Sequence, residues 1–90
     1  MRSVIRSALD IGTNAVKYVV VEVGDEGLET LLQSERIARL GEGSLESGEL
    51  QPVAVQRTLA AIEEMLAEGE LFQPLTTDAI GTQALRRAKN

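Results

Sequence analysis

Two apolar runs separated by one short turn constrain this chain more than any other feature. Val4 to Leu9 ends on a single carboxylate, Asp10, and a second run covers Val16 to Val23. Between them lies Gly12-Thr13-Asn14, so the runs read as two strands joined by a hairpin with a turn of small residues. Small residues let backbone N–H groups face a ligand, and successive N–H groups make a concave anion site. Asp10, beside that turn, can hold a cation or its hydrating water. Such a pairing suits a phosphorylated ligand. An ordinary hairpin turn explains the same residues, and both readings stand on local chemistry alone.

The strands are placed at Val4 to Asp10 and Lys17 to Val23. Val19, Val20, Val21 and Val23 imply cover on both faces. Gly24-Asp25-Glu26-Gly27 signals a turn. Leu28 to Leu40 reads as a third, alternating strand whose Gln33, Ser34, Glu35 and Arg36 suit a sheet edge. These three form an antiparallel meander. Gly41 to Gly48 reads as a flexible connection in which Glu42 and Glu46 are solvated charges. Pro52 occupies a first helical position, and Val55, Leu59, Ile62 and Leu66 form one apolar stripe for packing on a sheet. Gly69 reads as the residue just past that helix. Thr77 to Gly81 is a fourth strand, and Thr82 caps a last helix. The order is β-β-β-α-β-α. A helix between the third and fourth strands is a crossover, which requires parallel pairing in a mixed α/β sheet.

Composition removes several classes of function. The 90 residues make one domain at most. Without Cys or His the sequence holds no disulfide, no Cys- or His-based zinc site and no nucleophile–His triad. Tyr18 and Phe72 are the only aromatics, so base stacking is unavailable, and a net charge of −5 opposes a nucleic-acid backbone. No apolar run reaches the roughly twenty residues a membrane span needs. Cytoplasmic residence is the default expectation.

At this point the chain resembles a known family. Leu9-Asp10-Ile11-Gly12-Thr13-Asn14 followed by Lys17 is similar to the first phosphate loop of the exopolyphosphatase / guanosine pentaphosphate phosphohydrolase family. Arg39-Leu40-Gly41-Glu42-Gly43 with Leu45 resembles the family's segment after the third strand. Thr82-Gln83-Ala84-Leu85-Arg86-Arg87-Ala88-Lys89-Asn90 resembles its strand-to-helix segment, Thr-x-Ala-Leu-Arg-x-Ala-x-Asn. The first loop alone is shared with actins, sugar kinases and chaperone ATPases; the other two segments argue against a kinase- or actin-type ATPase. One departure is Ala15, where the family loop often has Ser.

The resemblance implies an incomplete ribonuclease-H-like (actin-like ATPase) sheet, its first three strands antiparallel and the fourth parallel to the first. It implies that residues 1–90 are the N-terminal part of one phosphohydrolase domain. It further implies a phosphohydrolase acting on polyphosphate or guanosine pentaphosphate with Mg2+ or another divalent cation. Gly12, Thr13 and Asn14 would offer N–H and side-chain donors to phosphate. Lys17, Arg39 and Arg86 would neutralise its charge, and Asp10 would orient a metal-bound water. Their competing readings are a plain turn, a turn-capping Asp and solvated surface cations. Arg87 is read as a solvated neighbour. The family's glutamate base, second phosphate loop and second domain are expected beyond Asn90, so no catalytic residue is assigned and the 90 residues are expected to be inactive alone. The alternative is a non-catalytic phosphate-binding module, or one that forms a homodimer through an exposed sheet edge.

Overall fold

A computed structural model describes residues 3–81 and residue 89 of the chain. Its elements are β1 (Ser3–Ile11), β2 (Ala15–Gly24), β3 (Gly27–Ile37), α1 (Ser44–Ser47), α2 (Pro52–Glu70) and β4 (Thr76–Gly81). The four strands form one sheet in the order β3-β2-β1-β4. β1 pairs antiparallel with β2, β2 antiparallel with β3, and β4 parallel with β1. The crossover therefore places β4 beside β1, on the far side from β3. Leu75 N–H bonds the Ile5 carbonyl at 2.7 Å, and the Ser7 and Thr77 hydroxyls meet at 2.7 Å, which sets β4 in register.

Pairing of Leu9 with Tyr18, Ser7 with Val20 and Ile11 with Val16 puts these side chains on one face of the sheet. Leu9, Val16, Tyr18 and Val20 are buried there against Ala61 and Met65 of α2. The opposite face carries Val4, Ala8, Val19 and Val21. No described element covers it: Val19 and Val21 are half-buried and Val23 is exposed. Cover on both faces, expected from the valine run, is thus met on one face only among the described residues.

Three further expectations need correction. α2 does not bury Val55, Leu59, Ile62 and Leu66 as its central stripe. Its buried residues are Ala54, Thr58, Ala61, Met65 and Gly69, one position earlier, while Leu59 is 54% exposed. Small residues let the helix axis come close to the sheet, and Val55, Ile62 and Leu66 fill the flanks. Gly69 lies inside α2 rather than past its end, because the Tyr18 ring occupies the space a β-carbon would take; its Cε2 and Cζ would lie 2.7 Å away. β3 stops at Ile37 rather than at Leu40, since Arg39 adopts a left-handed φ of 53° that turns the chain off the sheet. A bulge at Leu31, between the pairs Val20–Leu32 and Val21–Thr30, keeps Leu32 on the α2 side. The expected last helix lies outside the described residues.

Candidate functional site: the β1–β2 turn and its brace

The hairpin tip is Thr13-Asn14, both exposed. Gly12 N–H donates to the Ala15 carbonyl at 2.9 Å and closes the turn. Gly12 therefore does not offer its amide to a ligand, a correction to its expected donor role; it contributes the absence of a side chain. None of residues 12–15 has positive φ, so the turn is not of the primed type that Asn-Gly hairpins use. Among the described residues, no partner engages the N–H groups of Thr13 and Asn14 or their side chains. These two amides and two short polar side chains are the donors the tip presents.

The carbonyls of the same two residues accept bonds from segment 38–41. Ala38 and Arg39 N–H both donate to the Asn14 carbonyl, at 3.0 and 2.8 Å, and Gly41 N–H donates to the Thr13 carbonyl at 3.0 Å. The segment 38–41 is thus laid across the turn, anchored by buried Ala38 and Leu40. Glycine at 41 leaves room for the Thr13 methyl, Cγ2, into which a β-carbon at this position would run. The bonds to these carbonyls leave the Thr13 and Asn14 amides without a partner among the described residues. Segment 38–41 also brings Arg39, exposed, next to the turn.

Two residues of this brace escape sequence reasoning. Arg57 of α2 donates through Nε to the Ala38 carbonyl at 2.6 Å and through a terminal nitrogen to the Arg39 carbonyl at 3.2 Å. The same nitrogen bonds a Glu42 carboxylate oxygen at 3.1 Å. Glu42 is therefore paired rather than a free solvated charge, whereas Glu46 is exposed as expected. The signal available in sequence was that Arg57 is the one basic residue of this helix. The connection expected to be flexible holds the single-turn helix α1, bounded by Gly43 and Gly48, both at φ 77°.

Asp10 and Lys17 are direct cross-strand partners three positions below the tip, and Lys17 is in turn opposite Glu35. All three lie on the open face, and they line a hollow of about 590 Å³ with Ala8, Val19 and Ile80. Lys17 is thus flanked by two carboxylates, with no ion pair within 4 Å between them. Among the described residues no group of three Asp or Glu comes together. Asp10 alone suits Mg2+ that keeps most of its waters; it does not suit a fully protein-coordinated ion. Arg86 lies outside the described residues. Lys89 is described, and its N–H bonds the Gly48 carbonyl at 2.9 Å. No described helix is long and apolar enough to cross a membrane.

Residues 19–90 match the model of the Ppx/GppA phosphatase family. The chain belongs to that family. The Ppx/GppA enzyme of Aquifex aeolicus superposes with a TM-score of 0.90 at 30% identity, over 99% of this chain and 30% of its own. An exopolyphosphatase-like protein (TM-score 0.93, 23% identity) is matched over 100% of this chain and 28% of that one. An exopolyphosphatase from Cytophaga hutchinsonii (TM-score 0.90, 22% identity) is matched over 96% and 28%. These last two support the fold alone. This Ppx/GppA chain spans less than a third of the length of each structure, and its mixed sheet is the actin-like ATPase type that the family resemblance implied.

Proposed function

We propose that the β1–β2 turn binds the terminal phosphates of a phosphoanhydride chain, polyphosphate or guanosine pentaphosphate, as part of a phosphatase. The observation that carries this reading is the turn's polarity: its carbonyls are tied back while, among the described residues, nothing pairs with the Thr13 and Asn14 amides beside Arg39. Amides held in that way need no reorganisation to meet an anion. Asp10 would hold a hydrated Mg2+, and Arg39 and Arg86 would neutralise the outer phosphate oxygens. The chemistry the metal supplies is charge neutralisation at the departing phosphate. Cytoplasmic residence belongs to the same reading.

On this reading the 90-residue span supplies the binding half of the reaction, and it is expected to bind without hydrolysing. Titration of the 15N-labelled chain with tripolyphosphate and Mg2+ is expected to shift the Thr13 and Asn14 amide resonances, with no phosphate released. Shifts elsewhere, or none, would refute the site. Phosphate release abolished by Asp10→Ala would refute the division between binding and catalysis.

A second reading, self-association, is favoured by β4. All but one of its residues are exposed, and among the described strands it pairs on one side only. Light scattering at rising concentration tests it: a constant monomer mass removes it.

A further inference from the structure

Arg39 is a non-glycine residue held in the left-handed region, and such a conformation persists only where its surroundings over-determine it. Its φ and ψ are fixed by the two peptide planes on either side. Arg57 bonds the carbonyl of both planes, Ala38 at 2.6 Å and Arg39 at 3.2 Å. The N–H of the first plane and the N–H before it converge on the Asn14 carbonyl. The guanidinium thus holds the strained residue from the helix side while the turn holds it from the sheet side. A planar fork does this with donors on two nitrogens at fixed angles, whereas an ammonium's three donors share one freely rotating nitrogen and fix no such angle.

We infer that Arg57 is the positioning residue of the phosphate turn: it fixes the 38–41 brace, and the brace aims the Thr13 and Asn14 amides. Resting on the phosphate reading above, this adds a residue on another element that touches no phosphate. Glu42 has the lesser role of orienting Arg57, because its single bond reaches a nitrogen already engaged by the Arg39 carbonyl.

The test compares Arg57→Met, Arg57→Lys and Glu42→Gln with the unaltered 90-residue chain, reading amide hydrogen exchange and tripolyphosphate affinity together. In both Arg57 variants, exchange at Arg39 and Gly41 is expected to rise at least about tenfold, while β1 and β2 amides stay within about threefold. Affinity falls about tenfold with it. Arg57→Lys behaves like Arg57→Met because donors on one rotating nitrogen do not fix the angle between the two peptide planes, and Glu42→Gln stays within about threefold on both readouts. A uniform rise over the whole sheet would make Arg57 merely structural and overturn the proposal. So would lost affinity with unchanged exchange at 39 and 41, which would put Arg57 on the phosphate itself. If the unaltered chain binds no tripolyphosphate, the phosphate reading falls, and the exchange pattern still decides whether Arg57 holds the turn.

Discussion

Replacing Gly41 by Ala adds one methyl at the point where the brace crosses the turn. Gly41 does not have positive φ, so the backbone accepts Ala, and the only obstacle is the Thr13 methyl. Two relaxations are open. Thr13 can rotate off its rotamer, which costs about 0.5–1.5 kcal/mol. Alternatively the brace retreats and the 3.0 Å bond from Gly41 N–H to the Thr13 carbonyl is lost, at about 0.5–1.5 kcal/mol. Either route lowers stability by about 1 kcal/mol, or roughly 4–8 °C in Tm for a domain of this size. Both displace a donor of the tip, and a hydrogen bond to a charged group contributes about 1.5–3 kcal/mol. Tripolyphosphate affinity is therefore expected to fall about tenfold to a hundredfold, a larger effect than the stability loss. Thermal melts and isothermal titration measure the two. Thr13→Ser removes the obstructing methyl and keeps the hydroxyl, so the double variant Thr13→Ser/Gly41→Ala should recover affinity to within a few-fold. A double variant as weak as Gly41→Ala alone refutes the steric argument, and unchanged affinity in Gly41→Ala refutes the role of turn geometry.

Gly69→Ala sets two effects of opposite sign against each other. Helix propensity favours Ala by about 1 kcal/mol, while overpacking against the buried Tyr18 ring costs about 1–3 kcal/mol. Destabilisation is expected, with exposed Ala60→Gly calibrating the propensity term in the same helix; a stabilised Gly69→Ala would contradict the packing. Met65→Ala, at a fully buried site, should lose about 2–5 kcal/mol by denaturant unfolding, and Leu59→Ala no more than about 0.5 kcal/mol. A reversed order would restore the stripe that periodicity favours. Asp10→Asn should abolish the Mg2+ enhancement of tripolyphosphate binding without weakening metal-free binding; an enhancement that survives removes Asp10 as the ion's anchor.

Strand order was legible because turn chemistry and β-branched runs act locally. Gly12-Thr13-Asn14 and Gly24 to Gly27 flank the valine-rich second strand, and a helix after the third strand leaves β4 a parallel partner. The helix stripe was misread because hydropathy weights Leu59 above Ala61, whereas close approach to a sheet selects small side chains. Gly69 was assigned to a helix end for the same reason: glycine marks ends when conformation demands it, and here a ring across the interface demanded it. The candidate site was half legible. Thr13, Asn14, Lys17 and Asp10 are adjacent in sequence, and their juxtaposition follows from one hairpin. Arg57 and Glu42 lie 15 residues apart on different elements, and their pairing exists only once the helix has docked. The left-handed Arg39 carried no signal, since no glycine or asparagine stands there.

The bond from Gly41 to the Thr13 carbonyl has an electronic result as well as a mechanical one. A carbonyl and the amide that follows it share one conjugated unit, and the Thr13 carbonyl belongs to the unit that ends in the Asn14 N–H. Withdrawing charge from the oxygen makes that hydrogen more positive, and linked hydrogen bonds reinforce one another by about 10–30%. The Asn14 N–H, unpaired among the described residues, is therefore a stronger donor than the same group in a bare hairpin, and its strength is set by a residue 27 positions away along the chain.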